Sequence, residues 1–435
     1  MATRMVFSCG DSAADLKTGS PTCEVVGTTI TFDTAQTGNI GVGDQITYNT
    51  SDICFIVGKT STTVWTVRSA TGGTPTAATA GTTVNEIKHA FVSCNDALAN
   101  FTDASHLNST DLTGTDIQLD IACYRDAADD TTTVTKTTVA ITTDATRYVR
   151  VYTPYDTTGE CNNDQRHDGK WNTGKYLQTS TSPDNWLVTQ IGHFRVEGLQ
   201  IQRTGTGNNV ILMRPCKNGV GEVRVESVMV SMASHGGTPL NWTGISLNTG
   251  SQTCLLSNCT VWDTGTPLTG SSGISVINSA RIARISHCTV SGIETGFFQS
   301  AGTVHVKNCL ADCGTAGFSG TFDASSTDNA SAQADAPGAN PRNSQTFTFV
   351  DATTGDLHLD DADTGAHGFG ADLSADTYPV TVDADRETRA SPFDIGADYN
   401  STGAGGGDVF IEGFQWLERG IGSVTAARFG GVMEY

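Results

Sequence analysis

The sequence predicts an all-β chain organised around a right-handed parallel β-helix, and a repeat between residues 194 and 311 is the main reason. Copies of an eight-residue pattern begin at Phe194, Val223, Cys254, Ala283 and Val304. Each copy has apolar residues at positions 1, 3, 6 and 8, an alternation typical of strands with one buried face. A single copy cannot bury that face alone, whereas stacked copies share one continuous core.

Two polar positions interrupt the alternation in every copy, and this shift of phase indicates a tight bend between two strands. The second of these positions holds Gly198, Ser227, Asn258, His287 and Asn308. Glycine, asparagine and histidine tolerate a positive φ, so we expect left-handed backbone at these bends. A further short strand follows the first four copies, and loops rich in Thr, Gly and Ser account for the unequal spacing.

The inward positions of the repeat define the columns of the expected core. The members of these columns are Val196, Val225, Leu256, Ile285 and Val306, with Cys259, Cys288 and Cys309 in a neighbouring column. Buried thiols act as small hydrophobic side chains without being oxidised. We therefore interpret most of the 12 cysteines as core residues. A disulfide among the cysteines outside the repeat, such as Cys9 and Cys23, is the alternative.

Composition and charge restrict the partners of this chain. Its 435 residues include 48 glycines and only 7% aromatic residues, which is typical of many short strands and turns. A formal net charge of −21 argues against nucleic acid or an anionic membrane as partner. No stretch is long and apolar enough for membrane insertion, and residues 1–10 lack the apolar core of a secretory signal. We therefore expect a protein made in the cytosol and not exported by that route.

The segments before the repeat predict a separate N-terminal part and a helix. Alternating strands separated by turn residues indicate a small β module over residues 1–82, with attachment or capping as its role. Thr83 and Glu86 match a capping box, so we predict a helix over residues 83–102 and the stack over residues 103–400. A helix at this place would cover the open first turn. A partner-binding helix is the alternative.

A segment near the C-terminal end carries a local resemblance. The strand Gly355-Asp-Leu-His-Leu359 is followed by Asp383-Ala-Asp385, by arginines and by Asp394-Ile-Gly-Ala397. This order resembles the terminal part of right-handed β-helix repeat proteins. The resemblance implies that the solenoid closes here and that Asp394 pairs with Arg386 or Arg389. It assigns no catalytic residue.

Two groups of carboxylates are candidates for chemistry. Asp164 and Asp168 lie in a polar loop and could cleave a glycosidic bond, which needs two carboxyls roughly 5–9 Å apart. A solvated loop is the alternative. The second group could hold Ca²⁺ through carboxylate oxygens and consists of Asp356, Asp360, Asp361 and Asp363. An acidic turn is the alternative there, so we expect no cofactor other than this one candidate ion.

The two polar stretches of the C-terminal third have different expected roles. Residues 321–345 are mostly small and polar, and we expect a long loop that leaves the stack. Within the segment 401–435, residues 401–408 form a glycine-rich linker, and the tail 409–435 is more apolar than a disordered end. Its aromatic and aliphatic residues Phe414, Trp416 and Leu417 predict docking onto another surface or subunit.

The layout of the whole chain resembles phage tailspike, fibre and capsid-decoration proteins built on this fold. The resemblance implies a structural virion protein, assembled in the host cytoplasm as a homotrimer with other virion proteins. Its exposed turns would bind host-surface polysaccharide, and no nucleic acid or membrane would be involved. A polysaccharide depolymerase and a bacterial extracellular adhesin are the alternatives, and the lack of a recognisable catalytic motif favours a protein that is not an enzyme.

Overall fold

The chain is all-β and is dominated by long parallel sheets. The computed structural model describes residues 2–136, 140–181, 184–188, 191–205, 207–215, 221–233, 241–247, 253–264 and 269–400. Within these ranges, neither of the two short helices has the length and apolarity needed to cross a membrane. The tail residues Phe414, Trp416 and Leu417 lie outside the described residues.

The N-terminal quarter contributes one long strand, a barrel and both helices. The elements in chain order are β1 (Thr3–Cys9), β2 (Thr22–Val26), β3 (Thr29–Phe32), β4 (Gln45–Tyr48), β5 (Asp52–Lys59), β6 (Val64–Arg68), β7 (Ala78–Lys88), α1 (Cys94–Asn100) and α2 (Leu112–Thr115). Strands β2 to β7 close into an antiparallel barrel in the order β2-β3-β6-β5-β4-β7.

The remaining strands are short and follow one another up the chain. They are β8 (Ile117–Cys123), β9 (Val134–Lys136), β10 (Val149–Tyr152), β11 (Leu177–Ser180), β12 (Asp184–Val188), β13 (Phe194–Glu197), β14 (Gln200–Arg203), β15 (Ile211–Arg214), β16 (Glu222–Glu226), β17 (Met229–Ser231), β18 (Thr243–Leu247), β19 (Thr253–Ser257), β20 (Thr260–Trp262), β21 (Ser272–Val276), β22 (Ile282–Ser286), β23 (Thr289–Ser291), β24 (Thr295–Gln299), β25 (Thr303–Lys307), β26 (Leu310–Asp312), β27 (Ala316–Ser319), β28 (Ala330–Ser331), β29 (Phe349–Asp351) and β30 (Asp356–Leu359).

Three parallel sheets share these strands. Sheet 1 has the order β1-β8-β10-β13-β16-β19-β22-β25, sheet 2 has β11-β14-β17-β20-β23-β26-β28, and sheet 3 has β9-β12-β15-β18-β21-β24-β27. From β13 to β27 the chain visits sheets 1, 2 and 3 in strict rotation. Equivalent residues of successive turns lie in register. We call this body the stack, and its order is compatible with a parallel β-helix.

The bend between sheets 1 and 2 has left-handed backbone in every copy, which confirms the expectation from the repeat. The five bend residues have φ between 49° and 71°. Their N–H groups continue the ladder between turns, since Ser227 N–H donates to the Ser257 carbonyl and His287 N–H donates to the Lys307 carbonyl. The bends therefore keep the backbone paired where the strand direction changes, as buried peptide groups require.

The inward columns fill the interior of the stack. All eight residues of the two columns named above are buried in one continuous cluster. All of the cysteines that the structure describes are free thiols. Cys9 belongs to the core of the stack and Cys23 to the core of the barrel, so the alternative of a disulfide between them is wrong.

The expected boundaries of the N-terminal part need correction. β1 is not in the barrel but is the first strand of sheet 1, where it pairs in register with β8. The helix does not begin at Thr83, because the β-branched stretch before Lys88 completes β7 and pairs with β4. The helix is α1, and its N-cap is Ser93, whose hydroxyl accepts the Asp96 N–H. The capping-box pattern at Thr83 and Glu86 did not start a helix, because strand pairing within the barrel was more favourable.

Residues 321–345 do not leave the stack as expected. β28 pairs with β26, and Thr327 bridges Lys307 below it and Ala339 above it. The buried Asn329 side chain accepts the Cys309 N–H and donates to the Val306 carbonyl, at 3.0 Å each. Side-chain amides thus replace hydrogen bonds of the strand ladder, so that small polar residues can form the narrow final turns. These turns lack the alternation of apolar residues by which a strand is recognised in a sequence.

A buried histidine joins the barrel to the stack. His89 Nδ1 lies 2.7 Å from Asp44 of the barrel, and Nε2 lies 3.0 Å from Asp126, which follows β8. The ring also stacks on Tyr124 at 4.8 Å. Burial by itself lowers the pKa of His89, but the two facing carboxylates outweigh it and raise the pKa to about 10.

The barrel junction should therefore weaken as pH rises. The folded-state pKa of His89 lies above the unfolded value of about 6.5, so its stabilisation is complete below pH 6.5 and is lost toward pH 10. Denaturant unfolding of the wild type and of His89→Gln should give a free-energy difference that shrinks, on the order of a few kcal/mol, across this window. A difference that stays constant with pH would contradict a charged His89.

Candidate functional site

Residues 346–400, which we call the flank segment, run along the side of the stack against the column of bends. Asn258 Nδ2 donates to the Val382 carbonyl at 2.9 Å, and Asn308 Nδ2 donates to the Ala371 carbonyl at 2.8 Å. Gly396 N–H returns a bond to the Asn308 carbonyl. The implied closing of the solenoid by this segment is therefore wrong: it binds the flank because the bends present unused amide groups there.

A buried arginine anchors the flank segment. The Arg389 guanidinium donates to Asn258 Oδ1 and to the carbonyls of Val382, Gly396, Ala397 and Asp398, at 2.7–3.2 Å. Burial lowers the pKa of Arg389 to about 10. The guanidinium thus connects two separate turns of the segment to one bend, a role that its planar fork of donors suits.

The ion pair implied for Asp394 is not the one observed. Asp394 lies 2.9 Å from His367 Nδ1 and accepts the N–H groups of Gly368 and Asn400. Arg386 instead reaches a different part of the chain. The resemblance thus pointed to the correct residues but not to their partners, which depend on how the segment folds back.

The candidate pair Asp164 and Asp168 lies where the polar loop meets the flank segment. Arg386 lies 3.2 Å from Asp168 and 3.9 Å from Asp164, and Lys175 lies 3.2 Å from Asp164. The Arg386 guanidinium also stands 4.5 Å from the Tyr155 ring centre. Both carboxylates are engaged by cations, so this geometry favours the structural interpretation of the loop.

The four aspartates proposed for Ca²⁺ separate in the structure. Asp363 accepts backbone N–H groups of its own turn and of Thr348 and is buried. Asp356 accepts a hydrogen bond from His358 at 2.5 Å. Only Asp360 and Asp361 line the same cavity, which has a volume of about 350 Å³. The structure therefore does not bring these four carboxylates together.

The same cavity contains a cluster that the sequence did not reveal. His358 Nε2 lies 3.7 Å from Asp385 Oδ2 and 3.9 Å from Asp398 Oδ1. The ligand-type atoms of these three residues lie within 4.8 Å of one another, which could hold a metal ion. They come from β30 and from two separate turns of the flank segment, so no short spacing could have indicated them.

The charges of this cluster perturb one another. Burial alone would lower the pKa of His358, but Asp385, Asp398 and Asp356 raise it to about 9. Burial raises the pKa of Asp398 to about 6. Burial and the neighbouring Asp385 raise the pKa of Asp383 to about 9. Such perturbed groups in a cavity are typical of functional sites, although structural ion-pair networks produce them too.

A groove of about 300 Å³ lies between the flank segment and the outer face of sheet 1. Its wall is the stretch 377–382, and its floor consists of outward side chains from three successive strands. The floor residues are Arg224 and Glu226 from β16, Leu255 and Ser257 from β19, and Arg284 and Ser286 from β22. Both ends of the wall are fixed, by the Lys307–Asp376 ion pair and by Asn258 at Val382.

The groove offers an aromatic ring between two guanidinium groups. The Tyr378 ring centre lies 5.9 Å from Arg224 Cζ and 5.6 Å from Arg284 Cζ. Arg224 forms an ion pair with Glu222, whereas Arg284 has no carboxylate partner among the residues that the structure describes. Burial raises the pKa of Glu226 at the groove's edge. The groove therefore combines one aromatic ring, two guanidinium groups and one carboxyl group.

Arg389→Lys should detach the flank segment. A lysine cannot reproduce five hydrogen bonds of a planar fork and would leave buried carbonyls without donors, which costs about 3–5 kcal/mol for a broken buried charge network. We expect rapid proteolysis within residues 346–400 while the core of the stack stays intact. The matched control Arg147→Lys, an arginine whose partners Asp116 and Asp144 lie outside the flank segment, should be cleaved as slowly as the wild type. Equal cleavage of both variants would contradict the anchor.

Comparisons of this chain with protein-family models, with curated protein sequences and with solved structures found no match.

Proposed function

We propose that this chain is a right-handed parallel β-helix, carried as a structural appendage on a bacteriophage particle, which binds host-surface glycan. The rotation of the chain through three parallel sheets supports the fold. The filled core supports rigidity, since close-packed interiors resist deformation. The virion assignment rests on the resemblance in layout, and the homotrimer and the contacts with other virion proteins are proposed with it.

The groove at Tyr378 is the observation that carries glycan binding. Sugar rings present apolar faces that stack on aromatic rings, and their hydroxyl groups match the Ser257 and Ser286 side chains on the floor. Arg224 and Arg284 match the carboxylate or phosphate groups of acidic polysaccharides. Because both ends of the wall are fixed, binding would require little ordering of the protein, which favours affinity.

Tyr378→Ala should weaken binding to surface polysaccharide at least tenfold, because it removes the stacking surface of the groove. The measurement is microarray and calorimetric binding to purified capsular and O-chain polysaccharides from a panel of bacteria. Phe369→Ala is the matched control: the exposed Phe369 ring likewise lies near a guanidinium, that of Arg342 at 3.3 Å, but outside the groove. Equal losses in both variants, or no binding to any polysaccharide, would contradict the proposal.

A depolymerase is the second candidate, and Asp312 is the observation that favours it. This half-buried carboxyl at the end of β26 lines a shallow cavity with Asp263, and burial raises the pKa of Asp312. A raised pKa suits a general acid in glycoside hydrolysis. Chromatography of the incubated polysaccharide decides between the two functions: unchanged chain length supports a binding protein, and shortening that Asp312→Asn abolishes supports the enzyme.

The virion assignment predicts a trimer and a place on the particle. Light scattering of the full-length protein should give three times the chain mass of 45.6 kDa. Antibody-gold labelling of intact phage should mark projections at the particle surface. A monomer that persists at micromolar concentration would contradict the assembly, and unlabelled particles from a lysate containing the protein would contradict the location.

A further inference from the structure

We propose that His358, Asp385 and Asp398 form a binding site for one divalent cation of the Mn²⁺ and Zn²⁺ class, which ties the flank segment together. The site is separate from the glycan groove and does not depend on glycan binding. It lies at the cavity of about 350 Å³, so an ion could reach it from solvent.

The imidazole is oriented as in metal-binding histidines. Its Nδ1 is held by the Asp356 carboxylate at 2.5 Å, which leaves Nε2 directed at Asp385 and Asp398. A carboxylate behind a histidine is the usual outer partner of a metal ligand, because it fixes the ring and raises its basicity. Asp356, one of the aspartates proposed from the sequence, would thus act behind the ligand rather than as a ligand.

The distances suit an ion at the centre of the three side chains. Bonds of about 2.1 Å at tetrahedral angles place ligand atoms about 3.4 Å apart. The distances of 3.7 and 3.9 Å from His358 Nε2 to the two carboxylates require shifts of only a few tenths of an ångström, and the two carboxylate oxygens lie within 4.8 Å of each other. The Leu359 N–H donates to Asp398 Oδ2 at 2.8 Å. This hydrogen bond fixes the carboxylate with its Oδ1 toward His358.

A further buried carboxyl adjoins the site. Asp383 is fully buried, and its side chain is hydrogen-bonded to that of Asp385. This contact holds Asp385 with its Oδ2 toward His358 Nε2.

Carboxyl groups outnumber cations around this cluster. Asp356, Asp383, Asp385 and Asp398 surround a single imidazole, and the charge of the buried Arg389 acts on Asp383 and Asp398, while its hydrogen bonds go to carbonyls and an amide. Glu387, Asp360 and Asp361 add further acidic groups around the cavity, while Lys170 lies 3.8 Å from Asp356. A divalent cation would offset this excess of negative charge.

The donor set decides the class of ion. One imidazole nitrogen with carboxylate oxygens suits Mn²⁺ or Zn²⁺, whereas Ca²⁺ and Mg²⁺ prefer oxygen ligands alone. Since His358 lies on β30 and Asp398 near the end of the flank segment, the ion would join two parts that are far apart in sequence. Removal of the ion should loosen the segment.

Mn²⁺ binding to the full-length, chelator-treated protein is the experiment, with free Mn²⁺ measured by electron paramagnetic resonance. Mn²⁺ is the probe because it avoids the buried thiols. We expect one ion per chain, binding at least tenfold weaker in His358→Gln and Asp385→Asn, and slower proteolysis of the flank segment with Mn²⁺. His305→Gln is the matched control, since His305 lies beside one carboxylate, Asp323 at 3.2 Å, and should bind like the wild type.

The spectrum of bound Mn²⁺ keeps the test decisive if a variant unfolds. Electron spin echo modulation from a directly bound imidazole nitrogen should be present in the wild type and the control. Saturation without nitrogen modulation would place the ion elsewhere and overturn the site. Absence of Mn²⁺ binding, or equal binding by properly folded His358→Gln, would show that the cluster is only an ion-pair network and would also overturn it.

Discussion

The left-handed bend between sheets 1 and 2 is the constraint on which the rest of the structure depends. Five successive turns change direction at this point with positive φ, and the N–H groups of the bend residues stay paired with the next turn. Because the bends lie above one another, the strands on both sides remain in register and bury one continuous core. Only residues that tolerate this backbone can occupy the column, and Asn258 and Asn308 also contribute side-chain amides.

Those amides explain why the flank segment lies where it does. The Asn308 side chain forms two hydrogen bonds with Ala371 of the segment, and the Asn258 side chain donates to the Val382 carbonyl and accepts from Arg389. The apolar cluster between the segment and the stack is small and consists of Leu310, Ala330, Leu359, Ala366 and Ile395, so hydrogen bonds also have to hold the segment in place. Its position creates both the glycan groove and the His358 cluster, so these sites exist only while the column of bends is intact.

At the N-terminal end of the stack, a network of buried ion pairs holds the first strands together. Asp120 is fully buried and forms ion pairs with Arg4 and Arg150, at 2.7 and 2.6 Å. Both arginines reach further carboxylates, Glu160 and Glu197, beneath the barrel and its neighbouring loop. A network of this kind is costly to break but adds specificity of docking as much as stability. With His89, it fixes how the inserted barrel sits on the first strands.

The sequence by itself determined the repeat, the inward columns and the bends, because each of these depends on residues a few positions apart. Strand alternation and left-handed tolerance are local properties, and the five bends had the predicted backbone. The helix start at Thr83 failed because strand pairing across the barrel outweighed a local cap. Residues 321–345 were misjudged because Asn329 supplies ladder bonds through its side chain, which no hydrophobic pattern shows.

Only the tertiary structure decided where the chemistry lies. Asp164 and Asp168 were recognisable as parts of a polar loop, but the sequence did not show that Arg386, more than 200 residues later, forms ion pairs with both. His358, Asp385 and Asp398 converge because the flank segment folds back on the bends, and Tyr378 meets Arg284 for the same reason. Such contacts arise when distant segments dock on each other. The hydrogen bonds that hold them depend on the three-dimensional position of each group and produce no repeating pattern in the sequence.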